Sequence, residues 1–119
     1  MNNENLKLRT KQFALRVIKL VESLPSDEVS RVLGRQLLRA GTSVGANYRA
    51  ACRSKSVADF ISKKGTVEEE SDECGYWIEL MVEAGKVKAA KVSALTQEAN
   101  ELTAIAISSI NTARKSQSK

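Results

Sequence analysis

The sequence predicts an all-α chain folded as an antiparallel, up-down-up-down four-helix bundle, one domain over residues 1–119. Three observations predict it. One proline, six glycines and 4% aromatic residues, against 42% hydrophobic residues in all, are the composition of a helical chain with an aliphatic core. Four long stretches place apolar residues at three- and four-residue steps, the spacing that gathers them on one helix face. Short polar connections join these stretches, so consecutive helices lie side by side and antiparallel.

The first helix, about 5–23, carries Leu6, Phe13, Ala14, Val17, Ile18 and Val21 on its apolar face and reaches Leu24, with Lys7, Arg9, Lys11, Arg16 and Lys19 mostly opposite. Pro25 disfavours helical geometry at Leu24 and stops it; Ser26, Asp27 and Glu28 supply acceptors and negative charge for the next N-terminus. The second helix, about 27–53, runs on Val29, Leu33, Leu37 and Ala40, then crosses Gly41 to Asn47, where a kink or short break is expected, and resumes through Tyr48, Ala51 and Cys52. Ser56 with Asp59 resembles a capping box and opens the third helix, about 57–85, whose buried face is predicted as Val57, Phe60, Ile61, Val67, Cys74, Ile78 and Met81. Gly85 ends it, with Lys86 and Lys88 favourable beside the C-terminal carbonyls. The fourth helix, about 91–114, has a near-heptad stripe of Val92, Leu95, Ala99, Leu102, Ile105 or Ala106, Ser109 or Ile110, and Ala113, followed by a frayed tail at about 115–119.

The stretch Gly41 to Asn47 violates helix propensity, because glycine costs about 1 kcal/mol per position relative to alanine and Thr42, Ser43 and Asn47 compete for backbone hydrogen bonds. Its spacing, with Gly41, Ser43, Gly45 and Asn47 as a structural motif, reads as a device for close helix approach or for a kink. Gln36-Leu37-Leu38-Arg39-Ala40, Thr42-Ser43-Val44, Ala46-Asn47-Tyr48, Ser56, Ala58-Asp59-Phe60-Ile61 and Tyr76-Trp77-Ile78-Glu79-Leu80 resemble the signature of a bacterial family. That family is the four-helix-bundle proteins encoded in intervening sequences of 23S ribosomal RNA genes (S23-like), to which accessory proteins of diversity-generating retroelements are similar. The resemblance runs from Leu6 to Ala113. It implies a ring-like homopentamer and, through the retroelement relatives, an accessory role beside a nucleic-acid enzyme such as a reverse transcriptase. Two positions depart from the family pattern. A proline often stands where this chain has Gly45, and a carboxylate commonly follows the asparagine by three residues, where this chain has Ala50, so no role of that acid carries over.

Charge is segregated along the chain, and the net +5 conceals it. Residues 1–55 carry eleven Lys or Arg and four Asp or Glu, residues 56–85 two and eight, and the remainder six and two. Arg31, Arg35 and Arg39 repeat every four residues on one side of the second helix, and Arg49, Arg53, Lys55, Lys63 and Lys64 extend the basic surface. A basic stripe of this kind binds phosphate backbones by counterion release without reading bases, so Arg31, Arg35, Arg39, Arg49 and Arg53 are the candidate RNA or DNA contacts. The acidic run Glu68, Glu69, Glu70, Asp72 and Glu73 is read as partly solvated and partly facing the basic second helix, in the same subunit or the next. Trp77, Tyr76 and Tyr48 are the candidate interface anchors.

Other functions are excluded or disfavoured. No histidine is present, which removes the usual general base and the partner that di-metal carboxylate bundles require, so neither enzyme activity, nor a metal, nor a cofactor is expected. No base is in view to activate Ser43, Asn47 or Cys52. Cys52 and Cys74 lack metal or redox spacing and read as reduced core or interface residues. No apolar run approaches the ~20 residues of a membrane span and the first residues have no leader pattern, so a cytoplasmic location is expected. The sequence therefore predicts a non-enzymatic, oligomeric accessory or scaffold protein that binds RNA or DNA nonspecifically. The alternative is a purely structural assembly whose basic and acidic faces pair between subunits.

Overall fold

The computed structural model describes residues 3–117, and those residues form four helices and no strand. They are α1 (Asn3–Glu22), α2 (Glu28–Cys52), α3 (Val57–Glu83) and α4 (Ala89–Gln117). The body measures 52 × 22 × 20 Å, the proportions of parallel rods about as long as the longest helix. α4 continues to Gln117, so residues 115–117, expected to fray, remain helical; residues 118–119 of that expected tail lie outside the described residues.

Each boundary has a chemical cause. The Asp27 carboxylate accepts from the Ser30 backbone N–H at 2.9 Å and from the Ser30 hydroxyl at 2.9 Å, capping α2. Ser56 accepts from the Asp59 N–H at 3.0 Å, while the Asp59 carboxylate turns back to the Lys55 N–H at 3.2 Å, one residue before the partner that an ordinary capping box uses. At the end of α3, Gly85 takes φ +74°, Lys86 N–H donates to Met81 O at 2.8 Å and Gly85 N–H to Val82 O at 3.0 Å. That pair of bonds is a Schellman close, which places a left-handed residue where glycine has no Cβ penalty.

Neighbouring helices pair in opposite directions. Along α1 and α2, Gly34 faces Val21 and Leu24, Gly41 faces Val17, and Gly45 faces Thr10. Between α2 and α3 the register runs from Arg39 beside Glu70 and Glu73 to Tyr48 beside Lys64. The hydroxyls of Ser71 and Thr103, 2.8 Å apart, join α3 to α4. Lys86, in the α3–α4 turn, meets Asp27, in the α1–α2 turn, at 3.3 Å, so both turns lie at one end of the bundle. Of the adjacent pairs, α1 and α4 approach each other least, and a network of Arg9 with Glu98 and Glu101 bridges that seam at 2.7 and 2.8 Å.

The core follows a heptad rhythm that apolar residues alone do not spell out. Buried positions step through Ser30, Gly34, Leu37, Gly41, Val44, Tyr48 and Ala51 in α2, and through Lys64, Val67, Ser71, Cys74, Ile78 and Met81 in α3. Alternating steps of four and three give the 3.5-residue period of knobs-into-holes packing. In α1 the same rhythm selects Leu6, Thr10, Phe13, Val17 and Leu20. Several expected core residues therefore sit off the seam: Val29 and Val57 are exposed, and Phe60 and Ile61 are half-buried. In α4 the seam chooses Ala106 over Ile105 and Ile110 over Ser109.

No break interrupts Gly41 to Gly45, since α2 is continuous helix throughout. The glycines serve proximity instead. A Cβ on Gly41 would lie 2.8 Å from a Val17 methyl, and one on Gly45 would lie 3.3 Å from the Thr10 hydroxyl, so α1 packs directly against the α2 backbone. The neighbouring polar side chains are satisfied within their own helix: Thr42 donates to Leu38 O at 2.8 Å and Asn47 to Ser43 O at 2.9 Å. No helix among the described residues is long and apolar enough to cross a membrane.

Candidate nucleic-acid interface

The α2 heptad seam turns Leu37, Val44 and Tyr48 inward, and its geometry leaves the five candidate arginines on the outside. They do not share one environment. Arg31 forms an ion pair with Glu28 at 2.6 Å, one turn earlier on its own helix. Arg39 reaches across to α3, where it meets Glu70 at 3.2 Å and makes a shorter contact with Glu73. Both glutamates belong to the acidic run, so part of that run neutralises α2 within the same chain.

Arg35, Arg49 and Arg53 are exposed and have no hydrogen-bond or ion-pair partner among the described residues. Arg49 borders a groove of about 630 Å³ between α1 and α2, together with Lys7, Lys11, Thr42 and Ala46. Lys11 is likewise exposed and unpaired among the described residues, whereas Lys7 pairs with Glu4 at 3.4 Å. The α1 lysines are the part of the basic surface that a reading centred on α2 missed. The signal was present as their four-residue spacing on the first helix, but only the α1–α2 register brings them beside Arg49.

Two expected members of the extended patch do not belong to it. Lys63 pairs with Asp59 at 2.9 Å, and Lys64 is buried, with its ammonium 4.5 Å from the centre of the Tyr48 ring. Burial pulls the Lys64 ammonium below its ordinary pKa, the opposite of what a solvated phosphate contact has.

The aromatic anchors also divide. Tyr48 lies in the core of its own chain and donates its hydroxyl to Asn3 at 3.0 Å, so it is not an exposed anchor; burial raises its phenol pKa. Trp77 packs partly against the core and donates its indole N–H to Glu73 at 3.1 Å. Tyr76 stands outside, half its surface exposed, edge-on to Trp77 with ring centroids 5.1 Å apart. It borders a second groove, between α3 and α4, whose rim carries Asp72, Glu79 and Glu83. A basic groove and an acidic, aromatic groove thus lie on different helix pairs.

No group of three or more Asp, Glu or Cys among the described residues is arranged to hold a metal ion. Cys74 is a buried thiol whose pKa is pushed up to about 12 by loss of solvent, with the charges of Glu70 and Glu73 adding to the shift. A thiol so protonated is a packing group.

Comparison with known proteins agrees with this architecture. A search of curated proteins finds no match. Among solved structures, a crystal structure of a protein of unknown function from the S23 ribosomal protein family of Bacteroides thetaiotaomicron VPI-5482 matches with a TM-score of 0.85 and 32% identity. The match covers 93% of this chain and 99% of that one. The family model described as 23S rRNA-intervening sequence protein matches residues 4–108. The chain belongs to the 23S rRNA-intervening sequence protein family.

Proposed function

We propose that this protein is a non-enzymatic, oligomeric helical-bundle accessory or scaffold protein that binds RNA or DNA nonspecifically through a basic surface formed by α2 and α1. The observation that carries this reading is the trio Arg35, Arg49 and Arg53, exposed and without anionic partners among the described residues, with Lys11 beside Arg49. Guanidinium groups held outward on a rigid helix suit phosphate, and no aromatic side chain lies among them to stack a base, so backbone contact without sequence readout fits them. Arg31 and Arg39 are demoted to secondary contacts, since a phosphate must displace Glu28 from one, and Glu70 with Glu73 from the other. The ring-like homopentamer and a partnership with a reverse transcriptase are the parts of this proposal that rest on family resemblance, and the cytoplasmic location rests on the sequence pattern alone.

Fluorescence anisotropy with a homopolymeric RNA and a mixed-sequence duplex DNA tests it. If one chain neutralises three phosphates of B-DNA, affinity falls about 40-fold between roughly 50 and 200 mM salt. Arg35→Glu with Arg49→Glu abolishes that binding, and the loss is alike for every sequence. Absence of binding at the lower salt, or binding indifferent to the double substitution, refutes the proposal.

A second reading has its own observation: exposed Tyr76 on the acid-rimmed α3–α4 groove is complementary to the basic α1–α2 groove of another copy. Here the charges hold subunits together. Light scattering separates the two readings. If Arg49→Glu dissociates the assembly and Glu79→Lys restores it, pairing between subunits explains the basic surface.

A further inference from the structure

At the end of the bundle where α1 begins and α2 closes, a cavity of about 450 Å³ lies open among all four helices. Its walls include Tyr48 and Cys52 of α2, Phe60 and Lys64 of α3, and Ile105 and Ser109 of α4. Lys64 is the anomaly. It occupies a seam position in the heptad of α3, where Val67, Cys74 and Ile78 follow it, and the residue is only 4% exposed. Its ammonium faces the rings of Tyr48 at 4.5 Å and Phe60 at 5.6 Å.

Among the described residues no carboxylate forms an ion pair with Lys64, and no group accepts a hydrogen bond from it. A lysine whose stem is buried to this degree ordinarily has a paired anion at its head, because aromatic faces replace only part of the lost hydration, whereas the Lys64 Nζ keeps some contact with solvent and has no such partner among the described residues. Here the ammonium instead borders an open cavity of the size that small-molecule sites have. A single cation matches a single negative charge, whereas a phosphate dianion would lack a second cation or a guanidinium fork. Phe60 and Ile105 offer apolar wall, and Ser109 a neutral polar group.

We propose that this cavity is a binding site for a small monocarboxylate with an apolar body, its carboxylate on Lys64 Nζ and its body against Phe60 and Ile105. The downward pull of burial on the Lys64 pKa agrees with the missing counter-ion. The site is separate from the basic α1–α2 groove, so it stands whether or not the protein binds nucleic acid.

The test is a titration of full-length protein carrying 13C-labelled lysine with sodium octanoate. The Lys64 side-chain resonance is followed, and thermal unfolding is measured in parallel. Octanamide, of the same shape without the charge, and inorganic phosphate are the comparison probes. Octanoate is expected to shift the Lys64 resonance saturably and to raise the unfolding temperature, and the other two to do neither. Lys64→Met is expected to weaken octanoate binding about ten- to a hundredfold, the range of a charge-assisted hydrogen bond. An unmoved Lys64 resonance overturns the proposal, as does octanamide binding as well as octanoate, or phosphate binding in its place. The wild-type titration decides the matter even if Lys64→Met fails to fold, and Lys64→Arg, which keeps the charge, is expected to retain binding that Lys64→Met loses.

Discussion

Two glycine-to-alanine substitutions, identical in chemistry, should move stability in opposite directions. Gly65 lies in α3 with no atom beyond its chain neighbours and the nearby backbone of its own helix within 4 Å of the position its Cβ would take, so Gly65→Ala removes the conformational freedom of glycine without a clash and stabilises by about 1 kcal/mol. Gly41 lies in α2, where the added Cβ would meet Val17 Cγ1 at 2.8 Å, Cγ2 at 2.9 Å and Cβ at 3.0 Å. Val17 is fully buried and β-branched, so no rotamer withdraws all three atoms, and α1 must shift. Overpacking of this kind costs about 1–3 kcal/mol, set against the same gain of about 1 kcal/mol in helix propensity. Because the propensity gain is common to both variants, their difference isolates the steric term. At fixed protein concentration it separates the two unfolding temperatures by about 5–15 °C for a domain of this size. Thermal unfolding followed by circular dichroism measures it, and Val17→Ala, which empties the contested space, should shrink the penalty of Gly41→Ala. If Gly41→Ala stabilises as much as Gly65→Ala, direct packing of α1 on the α2 backbone is not the reason for the glycine.

Two further outcomes follow from the ionisable groups. The Glu98 carboxylate is held below its ordinary pKa chiefly by the hydrogen bond from Arg9, so its contribution to stability is full above about 4.5 and is lost as pH falls through the lower folded value. Arg9→Ala should therefore cost about 1 kcal/mol at neutral pH, less in high salt because the network is partly solvated, and Glu98→Gln should flatten the acid limb of the stability curve; an unchanged acid limb refutes the assignment. Cys74, fully buried, should resist iodoacetamide at mildly alkaline pH while half-buried Cys52 is modified first, and both should react once the chain is unfolded. Mass spectrometry of the alkylated chain reads the order, and rapid native labelling of Cys74 contradicts its burial.

Local chemistry explains why so much of the fold was legible. Pro25, the acceptors at Asp27 and Ser56, and the left-handed Gly85 mark turns by effects that act within a few residues, and they lie where the helices end. The core was less legible, because apolar identity is an incomplete guide to burial. Thr10, Ser30, Gly34, Gly41, Lys64 and Ser71 occupy seam positions, and each depends on something a composition pattern does not contain. Thr10 and Ser71 bond to carbonyls of their own helices, Ser30 to its cap, and the glycines to nothing, yielding space to α1. The continuity of α2 through Gly41 to Asn47 has the same origin, since interhelical packing outweighs an intrinsic penalty of about 1 kcal/mol per glycine.

By itself the sequence determined that the chain is all-helical, that it forms four helices, and which family signature it carries, since these depend on periodicity, caps and residue identity along one strand of chain. Only the tertiary structure decided which charges are free. Arg35 and Arg39 are one turn apart and alike in sequence, yet one has no partner among the described residues and the other is held by Glu70 and Glu73 from α3. Lys63 and Lys64 are adjacent, yet one pairs with Asp59 at the surface and the other is buried beside an open cavity. The physical reason is that pairing and desolvation depend on distances of a few ångströms between helices, and those distances are fixed by the register in which the helices pack.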